Sequence, residues 1–227
     1  MVLVVGAGCS QRSAAKGGYR LDTEAGSPSR SKTPSPLVRG QLSSGVYYST
    51  RFLPAVKLTV PSGWRLDSES ATQVAFVHVG DPAHATVIVT QVGSLQVSDD
   101  PYDRGVSVFN RQYHRSGRTQ SAEIRRRPEV VVEPVGPVDV GGVSAPTVVA
   151  RSTVVGSQTD PCTPTVPCPF VPLADPAYGW LLSPQEAVLL VEPRRSGLAV
   201  MIGGNADVLT LRTIATPLLA SLRVTTE

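Results

Sequence analysis

The chain reads as an α+β protein, an antiparallel β-sheet covered by two helices, and three features of the sequence predict this. Glycine and proline number 20 each among 227 residues, and Val, Thr and Ser are abundant, which suits short strands joined by many turns. Apolar runs of strand length recur between those turns. Only two stretches carry apolar residues at helical spacing, one in the middle of the chain and one at its end. A hydrophobic content of 41% against 17% charged residues is enough for one globular core.

Each element has its own signal. Residues 10–44, including GSPSRSKTPSP, lack hydrophobic periodicity and are expected to form a disordered Ser/Pro/Gly-rich linker. A single domain is expected over 45–227. VYYSTRF, KLTVPSGWRL, QVAFVHV and ATVIVTQV predict four strands, separated by Pro54, the polar stretch Asp67 to Ser70 and the GDPAH turn. SDDPYDRGVSVFNRQYHRSG predicts a helix. Ser98 or Asp99 caps it, Pro101 sits in its first turn, and Tyr102, Val106, Phe109 and Tyr113 form its apolar stripe before Gly117. EVVVEPVGPVDV and APTVVARSTVV follow as a hairpin through Gly141 and Gly142, and YGWLLSP, EAVLLVEP and LAVMIGG supply further strands. In the closing helix Asn205 or Asp207 caps, Val208, Leu211, Ile214, Ala215, Leu218 and Leu222 face inward, and Pro217 is expected to kink or loosen the later turns. There are no internal repeats.

The N-terminus and the cysteines point to export. MVLVVGAGCS opens with a short apolar run, Val2 to Gly8, ending in small residues before Cys9, and resembles the end of a bacterial lipoprotein signal. That resemblance implies cleavage before Cys9 and its acylation with palmitate-class chains, with residues 1–9 the remnant of the signal. Gly6 stands where such signals prefer Leu, and no basic segment precedes the run. Two other readings stay open: a Rossmann opening, in which Gln11 replaces the third glycine, and a buried first strand with an inert cysteine. Cys162 and Cys168 lie close together within DPCTPTVPCP and are expected as a disulfide, against the alternatives of two reduced thiols or a zinc half-site. No further zinc ligands follow at finger spacing, so no metal is expected.

Catalytic motifs are not advertised. The sequence holds no G-x-S-x-G, no Ser-x-x-Lys and no phosphate-binding loop, its carboxylates are dispersed, and the expectation is a protein that is not an enzyme and carries no cofactor. His78 reads as a strand-face residue, His84 with Asp81 as a polar turn, and His114 as a cation near a helix C-terminus. Arg111, Arg115, Arg118, Arg125, Arg126 and Arg127 form the one basic cluster, a candidate edge for anionic lipid or cell-wall polymer, with a solvated loop balanced by Glu123 and Glu129 as the plainer reading. The net charge of +3 and the lack of aromatics between those arginines argue against nucleic acid. Phe170, Val171 and Leu173, after the cysteine pair, are a candidate recognition loop, with packing beside Trp180 as the equal alternative. Trp64 and Trp180 read as core anchors.

LTVPSGWRL, Leu58 to Leu66, resembles the early strand and Pro-Gly-Trp turn of the PsbP-like domain found in extrinsic photosystem proteins and actinobacterial lipoproteins. The ending LAVMIGGNADVLTLRTIATPLLASLRV is similar to the last strand, helix and Ser-Leu tail of that family. The resemblance covers about a fifth of the chain, and neither segment is a catalytic signature. It implies an α/β sandwich acting as a noncatalytic extracytoplasmic scaffold whose relatives bind proteins, carbohydrates or lipids. The functional expectation is therefore a monomeric, lipid-anchored binding or structural module at the outer face of the cell membrane, or secreted. Its partners are the membrane, through the anchor, together with cell-wall polymer, lipid or envelope protein. A carrier of an apolar small molecule or lipid in a sheet-helix cavity is the alternative, and an enzyme of unrecognised class the third.

Overall fold

In the computed structural model, residues 33–80, 83–98, 113–115, 118–153, 170–171, 173–174, 180–182, 186–193 and 196–225 are described. The chain divides into Met1–Ser31 and a compact unit, Lys32–Glu227, and all that follows concerns the second. Its elements are, in order, β1 (Ser35–Pro36), β2 (Gly40–Gln41), β3 (Gly45–Tyr48), β4 (Val56–Val60), β5 (Trp64–Glu69), β6 (Gln73–His78), β7 (Thr86–Gln91), β8 (Gln96–Ser98), β9 (Tyr113–Arg115) and helix α1 (Gln120–Ile124). Then come β10 (Val130–Val140), β11 (Val143–Ser152), β12 (Phe170–Val171), β13 (Trp180–Leu181), β14 (Ala187–Val191), β15 (Leu198–Gly203), helix α2 (Val208–Ala220) and β16 (Arg223–Val224).

Eight strands form the main sheet in the order β10-β11-β14-β15-β7-β6-β5-β2, with every neighbouring pair antiparallel. A smaller sheet, β1-β3-β4-β16, has one parallel pair at β1-β3. The hairpin through Gly141 and Gly142 forms as expected. Both glycines have φ near +70 to +80° (68° and 83°), which a two-residue turn between twisted strands demands, and the Asp139 carboxylate accepts from the Gly142 N–H at 2.6 Å.

The main sheet is covered on both faces, which is why its central strands are apolar without alternation. Every residue of β14 (AVLLV) and β15 (LAVMIG) is buried. On one face Phe76, Val89, Leu189 and Val200 pack with Leu211, Ala215, Leu218 and Leu219 of α2 and with Val56, Leu58 and Val60 of β4. On the other, Ala75, Ile88, Val188, Leu190 and Met201 pack with Ile124 of α1 and with Val171, Leu173 and Leu182. Each fully buried Leu or Val contributes about 1.5–3 kcal/mol, so the two clusters together hold the layers.

Helix α2 starts where the sequence predicts. The Asp207 carboxylate accepts from Leu209 N–H and Thr210 N–H, and the helix runs on through Pro217 to Ala220. Its exit joins the two ends of the domain. The Ser221 hydroxyl accepts from Thr59 N–H at 2.8 Å and lies 3.1 Å from Thr59 O, β16 pairs with β4, and Gly141 N–H donates to Leu219 O.

Three expectations are corrected. The domain starts before Gly45: Leu37 and Leu42 are buried, Leu37 N–H donates to Tyr48 O and Leu42 N–H donates to Trp64 O, so residues 33–44 belong to the fold and not to a linker. KLTVPSGWRL is two strands, β4 and β5, because Gly63 turns the chain at φ 88°. The helix expected through Tyr113 is not formed at its ends. Gln96–Ser98 and Tyr113–Arg115 pair as antiparallel strands, an extended pairing that Val97 and Tyr113 favour. Residues 99–112 lie outside the described residues. A helix the sequence did not signal, α1, follows, capped by the Thr119 hydroxyl, which accepts from Ala122 N–H. Sheet thus dominates the domain, and α2 is the one long helix among the described residues.

Candidate functional site

Cys9, Cys162, Cys168, Asp81 and Arg111 lie outside the described residues. Of the other members of the arginine cluster, Arg118, Arg125, Arg126 and Arg127 are at α1 and next to it. Arg118 and Arg126 approach the buried Glu123 carboxylate at 3.6 and 3.5 Å, and Arg125 donates to Val132 O. Two cations on a carboxylate at 5% exposure balance it within the α1 turn, since a buried charge needs such partners. Arg127 closes the same turn through its backbone, donating to Ile124 O, and Arg115 belongs to β9. The guanidinium groups of Arg118, Arg125 and Arg126 are therefore engaged in the fold.

The proposed recognition loop is corrected. Phe170 and Val171 form β12, paired with Leu181 and Trp180 of β13, and Val171 and Leu173 are fully buried in the second core. Of the two readings left open by the sequence, the packing one describes Val171 and Leu173, which the apolar face of the sheet buries. Trp180 lies over Gly203, where a β-carbon would come within 2.7 Å of the indole ring, so the closeness of strand and ring depends on glycine there. Trp64 is a core anchor as expected, with its ring edge-on to His78 at 5.1 Å. His84 is exposed on a left-handed turn with φ 43°. His114 is in β9, not at a helix end. Among the described residues no group of three His, Cys, Asp or Glu side chains could hold a metal ion.

A groove that sequence reasoning did not find lies along β5. Strand β2 is only two residues long and covers Arg65 and Leu66, so among the described residues no strand lies beside the outer edge of β5 from Asp67 to Glu69. A register shift between Leu66 and Ser68 bends the strand at that place. Residues 37–39 form one wall, Thr50 and Arg51 the other, and Leu66–Glu69 the floor, around a volume of about 450 Å³.

Glu69 builds the second wall. Its Oε1 accepts from the N–H groups of Thr50 at 2.6 Å, Arg51 at 2.7 Å and Phe52 at 3.3 Å, while Oε2 accepts from the Thr50 hydroxyl at 3.2 Å. The loop is held from below as well: Leu53 N–H donates to Ala71 O, and the Gln91 amide donates to Leu53 O. Asp67 is paired with Arg65 at 3.3 Å. Both acids of the floor are thereby engaged, whereas Arg39 and Arg51 make no side-chain hydrogen bond or ion pair among the described residues. A second hollow of about 140 Å³, between the β10-β11 turn and Leu222, is too small for more than a fragment. The signal in the sequence for the groove was faint: the pair Leu37 and Leu42, which anchors its first wall, shows no strand or helix period.

No family model matches the chain, and no curated protein matches it in sequence. Among solved structures, the solution structure of cyanobacterial PsbP (CyanoP) from Synechocystis sp. PCC 6803 is similar at 10% identity and a TM-score of 0.36, covering 81% of this chain and 94% of that one. Among the described residues no helix is long and apolar enough to cross a membrane, a statement that does not concern strands.

Proposed function

We propose that this protein is a noncatalytic binding or structural module of the PsbP-like kind, acting outside the cytoplasm and held at the membrane by an acylated Cys9. The observation that carries the binding role is the groove along β5, a preformed recess whose two guanidinium groups have no acidic partner among the described residues while its own acids are engaged by Arg65 and by the backbone of the loop. A recess of that size with a few placed polar groups suits recognition, and its loop is ordered before any ligand arrives. The PsbP-like assignment rests on the sequence segments Leu58 to Leu66 and Leu198 to Val224. In the fold these segments meet at Thr59 and Ser221, about 160 residues apart in the chain, which accounts for their residue pattern as a structural fastening. The outward location rests on the segment before Cys9 and on the Cys162–Cys168 pair read as a disulfide.

The carrier reading has less to recommend it. Leu211, Ala215, Leu218 and Leu219 fill the space between α2 and the sheet, and the large groove is on the other side of β5's edge, in contact with solvent and with charged walls. Fractionation of the native cells with intact-mass measurement tests the proposal: a membrane-bound product beginning at an acylated Cys9 is expected, with no free thiol at Cys162 or Cys168. A soluble cytoplasmic product that retains Met1 and three free thiols overturns it.

A further inference from the structure

We propose that the groove along β5 docks on an anionic lipid surface, with Arg39 and Arg51 taking head-group phosphates and the neighbouring apolar side chains entering the interface. This deepens the reading of the chain as a membrane-held module and rests on it for the presence of a membrane. Three observations point the same way. Arg39 and Arg51 are exposed and unengaged, and with Arg65 they outnumber the local acids Asp67 and Glu69. Of the six large apolar side chains exposed among the described residues, Val38 (64%) lines the groove, and Tyr48 (41%) and Leu53 (59%) lie in the chain within two residues of Thr50 and Arg51, which form its second wall. A soluble anion gains nothing from that concentration of apolar surface, whereas a bilayer interface accepts both halves at once. Finally, the loop that carries Arg51 and Leu53 is held by the Glu69 carboxylate and by Ala71 and Gln91, so the backbone that presents them is ordered before contact and only the side chains remain to be fixed.

The chemistry of contact follows from these groups. A guanidinium fork donates two hydrogen bonds to a phosphate and is weakly hydrated, so it enters the head-group layer at lower cost than an ammonium. A basic side chain at an anionic surface strengthens partitioning about fivefold, so the pair gives about 25-fold. At α1, Arg118 and Arg126 are on Glu123 and Arg125 is on Val132 O, so these guanidinium groups are already engaged, unlike those of Arg39 and Arg51.

Sedimentation of the unacylated full chain with phosphatidylglycerol or phosphatidylcholine vesicles, at about 0.1 M salt, provides the test. Binding to the anionic vesicles is expected to exceed binding to the neutral ones by at least tenfold and to weaken steeply with salt, a readout that needs no variant. R39Q/R51Q should lose about 25-fold, V38S/L53S several-fold, and R125Q less than twofold, all with unchanged circular dichroism and melting. No preference for the anionic vesicles, or undiminished binding by R39Q/R51Q, overturns the proposal. Displacement from the vesicles by free glycerol phosphate at a concentration matching the lipid makes the groove a soluble-anion site and likewise overturns it. Full binding by V38S/L53S overturns the apolar half. Because the protein used carries no acyl chain, failure here leaves the Cys9 anchor untouched, and loss of the anchor leaves the vesicle result standing.

Discussion

Replacing Glu69 should loosen the wall of the groove by an amount that the structure sets. Its Oε1 is the acceptor for three consecutive backbone N–H groups, Thr50, Arg51 and Phe52, and Oε2 for the Thr50 hydroxyl. The Thr50 and Arg51 bonds are exposed, so water replaces them at little cost, and the Phe52 bond is partly buried. A net value of about 0.5–1.5 kcal/mol per bond, taken at its low end for the exposed ones, places Glu69→Ala at about 2–3 kcal/mol. For a domain of this size that is a fall in Tm of about 4–12 °C. Glu69→Gln retains an oxygen in the Oε1 position while losing the charge, and should cost about half as much. Urea unfolding of the two variants beside wild type measures both values, and hydrogen exchange at Thr50 and Arg51 should speed up selectively in the Ala variant. A Glu69→Ala protein within 0.5 kcal/mol of wild type, or a Gln variant as unstable as the Ala one, would refute the claim that acceptor geometry holds this loop.

Other substitutions test other joints of the fold. Leu173→Ala, at a side chain with no exposed surface in the second core, should destabilise by about 2–5 kcal/mol in urea melts; a surface-like loss below 0.5 kcal/mol would restore the recognition-loop reading. Gly141→Ala forces a β-carbon to 2.3 Å from Leu222 O in a left-handed turn, whereas at Gly142 the nearest atom is at 3.6 Å. The first change should therefore cost about 2–4 kcal/mol and the second about 1 kcal/mol, and equal losses would contradict the packing of the turn against the end of α2. Asp207 has its pKa lowered below the ordinary carboxylate value, chiefly by the Thr210 hydroxyl and then by the Thr210 N–H. A carboxyl with a lowered folded-state pKa adds stability above its unfolded pKa, about 4, and loses it as pH falls through the folded value. Asp207→Ala should accordingly melt below wild type at pH 7, with the difference shrinking below about pH 4; a gap independent of pH would remove the carboxylate from the account.

Strand-forming runs were largely legible from residue order. AVLLV and LAVMIG are continuous apolar segments because β14 and β15 are buried on both faces, and VDVGGV predicts its own hairpin because two adjacent glycines supply the positive φ that the turn requires. The cap at Asp207 was equally plain, since its signal is local. At the end of the stripe Tyr102, Val106, Phe109 and Tyr113, the spacing misplaced Tyr113, because an i, i+4 spacing does not report whether a strand partner exists, and Gln96–Ser98 provides one for Tyr113. Leu37 and Leu42 went unread for a related reason. Two isolated leucines in a polar tract look like linker until Tyr48 and Trp64 are there to receive their backbone N–H groups.

By itself the sequence determined the antiparallel, turn-rich α+β class, most strand positions, the closing helix with its cap, and the lipoprotein-like segment before Cys9 as an expectation. Those are local properties, set by periodicity, by backbone preference and by side chains reaching their own neighbours. The tertiary structure alone decided that Val171 and Leu173 are core, that Arg118 and Arg126 serve Glu123, and that Arg39 and Arg51 are left unengaged across a groove. Whether a charge is engaged or free depends on which distant groups the sheet order brings within hydrogen-bond reach, and sequence spacing carries no record of that distance.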